Sequence, residues 1–276
     1  MPWSENPWLG IHARTRYDQL PMGSVTSRFR KWTFAALAIV VVLIVVLVAI
    51  VLAVFRFGAL PLDHGTILGG GRVEAVVEEM GPVAIGSYLI TLKNGGYALV
   101  DAGMDSEALA VRTVLQRRGA EAGDVRAIFV THAHGDHMGG IPSFAAAEVY
   151  AIEADANAIR RARSRTVQGL TDGDVVKVSG TEVEVFALPG HTPGSAAYLV
   201  YGVLFLGDSA AAAYDGSVQA NWLFSEDSES NEESLAALAR RLEGRATDVQ
   251  QIAFGHQGPV DGLGPLLKWA SERELR

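Results

Sequence analysis

The hydrophobic and polar positions of this chain change rhythm along its length. Residues 34–55 have no rhythm at all: 22 apolar side chains follow one another without a charge, a glycine or a proline. As a helix this run is about 33 Å long at ~1.5 Å per residue, enough for a hydrocarbon core of roughly 30 Å. The apolar region of a signal peptide is shorter, about 7–15 residues, and ends in small residues at a cleavage site. Here the run leads into Arg56-Phe57-Gly58 without an Ala-x-Ala pattern. The pattern predicts an uncleaved transmembrane helix over 34–55. Residues 1–33 carry Pro2, Pro7 and Pro21 and neither helical nor strand periodicity, and read as a disordered tail. Residues 56–71, rich in glycine, read as a linker, and 72–276 as one folded domain with ample length for a two-layered core.

Within that domain the rhythm alternates between short β runs and amphipathic helices. Residues 73–79, 84–92 and 97–100 read as strands, parted by Gly81-Pro82 and by the hairpin signal Lys93-Asn94-Gly95-Gly96. Ala108, Val111 and Leu115 predict a helix over 106–118 that stops at Gly119. Strand 127–131, a short helix at 141–147, strand 148–152 and helix 153–163 follow. A second set of strands covers 175–178, 182–187, 196–201 and 203–206. A helix over 231–243 opens on Ser230-Asn231-Glu232-Glu233, which has capping-box spacing. Strand 249–254 and a helix at 263–274 close the chain. Strands followed by mixed strands and helices, repeated once, predict an α/β fold of two mixed sheets packed face to face with helices outside.

Charge orients the chain. Five basic and two acidic side chains in residues 1–33 give a net of +3, so the remainder carries −11 against a chain total of −8. Arg14, Arg16, Arg28, Arg30 and Lys31 precede the apolar run, whereas only Arg56 and Arg72 follow it closely. The positive-inside rule predicts a single-pass membrane protein with a cytoplasmic N-terminus and an extracytoplasmic domain. An acidic domain without a basic stripe excludes nucleic acid as a partner and leaves a small-molecule substrate. The chain has no cysteine, so neither disulfides nor thiolate ligands enter.

The candidate chemistry is concentrated at strand ends. His132-Ala133-His134-Gly135-Asp136-His137 directly follows the apolar run 127–131, which places four ligating side chains within six positions. Imidazole with carboxylate suits zinc, iron or manganese better than calcium or magnesium. His191 in Gly190-His191-Thr192-Pro193-Gly194, Asp208 in Gly207-Asp208-Ser209 and His256 in Gly255-His256-Gln257-Gly258 also follow strands. Seven candidate ligands suffice for two metals that share one of them. His12 and His64 lie in the tail and the linker and read as surface residues.

These motifs, with Val100-Asp101-Ala102-Gly103, resemble the metallo-β-lactamase-fold metallo-hydrolase superfamily in order and spacing from about Arg72 to His256. The resemblance implies an αβ/βα four-layer sandwich with the site at one edge of the sheets. It implies two Zn2+, with iron or manganese as other occupants: His132, His134 and His191 on the first metal, Asp136, His137 and His256 on the second, Asp208 bridging. Asp101 is implied to orient a ligand, although capping the following helix would also explain it. Two cations about 3.5–4 Å apart acidify a shared water to a pKa near 7. The implied reaction is attack of that hydroxide on a carbonyl ester, thioester or lactone, falling off on acidification.

A bridging aspartate at Asp208 resembles the glyoxalase II and lactonase-like branch rather than the true β-lactamases. Glyoxalase II proper carries an added helical C-terminal region that helps bind glutathione, whereas 20 residues follow His256 here, an expectation against glutathione thioesters. Tyr214, Trp222 and Phe224 are the expected substrate contacts, with Tyr214 as a proton or hydrogen-bond donor. The alternatives are an iron-dependent oxidoreductase resembling the persulfide dioxygenases, and an amide hydrolase of β-lactamase type.

Overall fold

The computed structural model describes residues 32–34, 36–49, 59–81 and 83–275. The apolar run forms α1, a helix over Trp32–Ala49 that is long and apolar enough to cross a membrane. Residues 50–55 of the expected span and 1–31 of the expected tail lie outside the described residues. α1 falls in a unit of its own, residues 1–50, and residues 51–276 form a second.

In the second unit, β1 (Ile67–Leu68), β2 (Val73–Met80), β3 (Val83–Thr91), β4 (Tyr97–Val100), β5 (Val125–Phe129), β6 (Glu148–Ile152) and β7 (Val167–Leu170) make a sheet in that order. Its first four strands pair antiparallel and β4 to β7 pair parallel. The second sheet contains β8 (Val175–Val178), β9 (Thr181–Ala187), β10 (Ala196–Val200), β11 (Val203–Phe205), β14 (Gln251–Ala253) and β15 (Val260–Asp261), in the order β15-β14-β11-β10-β9-β8. A hairpin of β12 (Ala210–Ala212) and β13 (Val218–Ala220) stands apart. The helices are α2 (Leu109–Arg117), α3 (Gly135–Met138), α4 (Glu153–Arg163), α5 (Ser228–Glu243) and α6 (Gly264–Glu274).

Strand alternation sorts the side chains into layers. Ala98 and Val100 of β4, Ala127 and Phe129 of β5, Ala196 and Tyr198 of β10, and Val203 and Phe205 of β11 share the core between the sheets. The intervening Leu99 and Ile128 face outward onto Val111, Leu115 and Ile159 of α2 and α4. Leu199 and Leu204 face outward onto Leu235, Leu242 and Leu266 of α5 and α6. The result is the expected αβ/βα sandwich. Two buried tyrosines cross its centre with aromatic partners, Tyr88 with Phe205 at 5.1 Å and Tyr198 with Phe129 at 5.3 Å between ring centroids.

Several elements differ from the sequence pattern for identifiable reasons. Within the expected linker, Leu62 and Leu68 are buried in the inter-sheet core and residues 67–68 pair with β2, so the fold takes in this stretch. α2 begins at Leu109 because Asp105 accepts from Glu107 N and Leu109 N and Ala108 is left-handed. α5 is capped by Asp227, which accepts from Ser230 N at 3.0 Å, three residues before the expected cap. No α-helix covers 141–147; a 3-10 turn at Ile141–Ser143 follows α3, which the pattern missed. β7, β12 and β13 were also unforeseen: Val-Gln-Gly-Leu and Ala-Ala-Ala carry little β signal.

Candidate metal centre

The ends of strands from both sheets meet at one edge of the sandwich. β5 runs into the loop holding His132 and His134, and α3 carries Asp136 and His137 on a single turn. His191 lies in the connection from β9 to β10, Asp208 follows β11, and His256 follows β14. Buried tyrosines anchor two of these strand ends. Tyr198 donates its hydroxyl to Val130 O at 2.8 Å, two residues before His132, and Tyr88 donates to Phe254 O at 2.6 Å, two before His256. Burial pushes both phenols up.

Seven side chains converge as expected, in three groups able to hold a cation: His132, His134 and His191; His132, His137 and Asp208; Asp136, His137 and His256. In the first trio, His132 Nε2 and His191 Nε2 lie 3.0 and 3.1 Å from His134 Nδ1. Nitrogens about 2.0–2.1 Å from one tetrahedral zinc stand roughly 3.3–3.4 Å apart, so the trio is close to a coordination face. In the second region, His256 Nε2 is 3.0 Å from Asp208 Oδ2 and 3.4 Å from Asp136 Oδ2. His137 Nε2 is buried with no hydrogen-bond partner; the nearest carboxylate oxygens, of Asp208 and Asp136, are 3.5 and 3.6 Å away. A buried lone nitrogen aimed at two carboxylates fits a cation, because leaving it empty-handed costs free energy.

The outward nitrogens are held so that the inward ones are free. His137 Nδ1 donates to Asp101 Oδ2 and His256 Nδ1 to Ala84 O, at 2.8 and 2.7 Å. His132 Nδ1 is 3.1 Å from Thr131 Oγ1, whose hydroxyl donates to Asp101 Oδ2. His191 Nδ1 is 3.4 Å from Ser225 Oγ. Asp101, buried with φ 58°, also accepts Thr131 N at 2.8 Å. Asp101 thus bonds to the His137 imidazole directly and to that of His132 through Thr131, and it caps no helix.

Electrostatics separates the two halves of the cluster. Burial, reinforced by the neighbouring imidazoles, pushes His132 well down and His191 down to about 4. Burial also opposes charge on His137 and His256, yet Asp208 and its fellow carboxylates push His137 well up and His256 up to about 10. In return His137 and His256 overcome burial and hold Asp208 well below the usual carboxylate range.

Tyr214, the expected proton or hydrogen-bond donor, is a surface residue. It is 69% exposed, on the turn after β12. Trp222 and Phe224 are exposed on a loop whose ends are tied to the site: Asn221 N donates to Ser209 O, and Glu226 N to His191 O. Asp155, Thr131 and Ser225 escaped the sequence reading. Asp155 in particular reads as an ordinary acidic residue in the first turn of a helix, and no spacing rule links it to ligands on distant loops.

Residues 80–256 match the family profile of the Metallo-beta-lactamase superfamily, and the chain belongs to that family. It is 33% identical to the hydroxyacylglutathione hydrolase of Aeromonas hydrophila over 131 residues, 46% of this chain and 48% of that protein. The chain thus spans about half the length of the curated relatives it matches. Its fold is similar to a metallo-beta-lactamase family protein from Thermus thermophilus, with TM-score 0.57, 23% identity, and 74% and 78% of the two chains covered. It is also similar to a flavoprotein from Thermotoga maritima, with TM-score 0.55, 16% identity, and 72% and 57% covered.

Proposed function

We propose that this chain is a membrane-anchored metallo-hydrolase that cleaves a carbonyl ester, thioester or lactone with a pair of divalent cations, zinc foremost. The observation that carries the reading is the partnerless His137 Nε2 facing Asp208 and Asp136, beside a His134 Nδ1 that lies 3.0 and 3.1 Å from the Nε2 atoms of His132 and His191. On this reading His132, His134 and His191 hold one cation, Asp136, His137 and His256 the other, and Asp208 lies between them. Bound there, the cations supply an acidified water and a Lewis acid for the carbonyl.

The protein's own residues supply the rest. Asp101, Thr131, Ser225 and the Ala84 carbonyl keep the Nδ1 protons of four imidazoles turned away from the cluster, which leaves each Nε2 lone pair available. Trp222 and Phe224, exposed on the loop tied to His191, would suit an apolar acyl group if they line the approach to the site. The likeness to hydroxyacylglutathione hydrolases supports acyl chemistry and a thioester in particular. α1, with the basic residues before it, supports an anchor that leaves the N-terminus in the cytoplasm and the catalytic domain outside.

The test is to purify the full chain in detergent, quantify its metals, and assay thioesters, lactones, phosphodiesters and cephalosporins. Zinc with turnover of acyl substrates is expected, and His134→Ala or Asp136→Ala should abolish it while the fold persists. Bound iron with redox turnover, or hydrolysis confined to phosphodiesters, would overturn the reading.

A further inference from the structure

Asp155 sits in the first turn of α4, an element that carries no ligand, and is 4% exposed. Its Oδ2 accepts from Ala133 N and from the Thr192 hydroxyl, both at 2.7 Å, and its Oδ1 accepts from Gly194 N at 2.9 Å. Ala133 lies between His132 and His134, and Thr192 adjoins His191. One buried carboxylate therefore ties together the two loops that supply the whole first trio, although these loops are almost sixty residues apart in the chain. The approach is close enough to require glycine at 194: a Cβ there would stand 2.3 Å from Asp155 N and 2.6 Å from its Cγ. Thr192 is further fixed by Ser195, whose Oγ accepts from Thr192 N at 2.9 Å.

At the base of the two loops Ala196 N donates to Thr131 O at 2.8 Å, and at their tips His132 Nε2 and His191 Nε2 approach His134 Nδ1 to 3.0 and 3.1 Å, so between base and tips Asp155 is the group that bonds to both. Holding three lone pairs together has to be done by groups behind them. Ala133 N, Thr192 Oγ1 and Gly194 N all converge on Asp155, whose two carboxylate oxygens accept all three.

We propose that Asp155 is a positioning residue that sets the spacing of His132, His134 and His191 and thereby the metal affinity of that trio. The proposal rests on reading the trio as a metal site. In Asp155→Asn the amide must turn its NH2 toward either Gly194 N–H or Ala133 N–H. One backbone donor then loses its acceptor and the two loops separate.

The test uses the full chain in detergent and Co2+ as probe, titrated at low temperature where circular dichroism shows every variant folded. Asp155→Asn is expected to weaken Co2+ binding by about 10–100-fold and to alter the visible absorption of the bound ion. Thr192→Val, which removes one of the three bonds, should fall between it and the wild type, and it carries the test if the asparagine variant does not fold. A purely structural role would leave affinity and spectrum of the folded variants unchanged. Wild-type affinity and spectrum in Asp155→Asn, or in Thr192→Val where that is the folded variant, would overturn the proposal. A wild-type chain that binds no Co2+ would overturn it together with the metal reading, so the two failures are distinguishable.

Discussion

Replacing Asp101 with asparagine isolates the control of imidazole orientation from everything else at the site. Asparagine tolerates the left-handed backbone at φ 58° and keeps the side chain's shape, so the main chain has no reason to move. The exchange instead offers two unfavourable amide orientations. With NH2 in place of Oδ2, the amide donates to His137 Nδ1 and Thr131 Oγ1, which forces the His137 proton onto Nε2, where a cation should bind. With the amide flipped, NH2 meets the buried Thr131 N–H and orphans it, at a cost of about 1–3 kcal/mol. The first outcome predicts metal affinity at the second group lower by about 10–100-fold, the range seen when a partner behind a ligand is lost. The flipped form instead spares affinity but lowers unfolding free energy. Competition with a zinc chelator and urea unfolding, run on the same preparations, read both. Wild-type affinity together with wild-type stability would refute the tautomer argument.

Acidification should empty the site in two steps. His256, pushed up to about 10, binds its proton in the metal-free fold, so a cation entering beside Asp136 must displace it, whereas His191, pushed down to about 4, has no proton to give up. Between pH 8 and 5.5 one equivalent of zinc should leave first, with proton release on rebinding; simultaneous loss of both would contradict this. Because the folded-state pKa of His256 lies above its unfolded value, it stabilises the metal-free protein fully below about pH 6.5, and that stability fades as pH rises through about 10. Calorimetry of the chelated protein across that range checks the sign. Gly255→Ala would set a Cβ 2.0 Å from Asp208 Oδ1 and 2.7 Å from His137 Cε1. Displacing either by about 1 Å should cost ~10²-fold in turnover, measured on the acyl substrate identified. Tyr198→Phe leaves Val130 O without its donor in a fully buried setting, an expected loss of about 1–2 kcal/mol by urea unfolding with little change in the cluster's chemistry.

What was legible in the sequence was whatever depends on short-range spacing. His132 through His137 announce a site because four ligating side chains crowd one strand end, and Gly190, Gly207 and Gly255 mark the neighbouring turns. The continuous apolar runs of β4 and β10 likewise declare two buried faces. What stayed illegible was long-range. Asp155 looks like a helix-opening acid until Gly194 is brought against it, and Tyr88 and Tyr198 look like ordinary core aromatics until their hydroxyls find Phe254 O and Val130 O. Tyr214 shows the converse: an aromatic a few residues after Asp208 drew attention by proximity in sequence, but the turn at Ala213–Ser217 leaves it exposed. Local boundaries slipped where a side chain competes for backbone donors, as Asp105 does ahead of α2 and Asp227 ahead of α5.

The candidate ligands divide unevenly between the two sheets. Each of the three candidate groups draws two members from the stretch that follows β5 and one from the other sheet, namely His191, Asp208 or His256 in turn. A break in the chain between β7 and β8 would therefore leave every group incomplete on either fragment, two donors on one and a single donor on the other. On the proposed reading, reassociation of such fragments would be reported by recovery of cation binding, and the ion would act as a rivet across the seam, fastening together halves that otherwise meet through apolar contact and polar bonds.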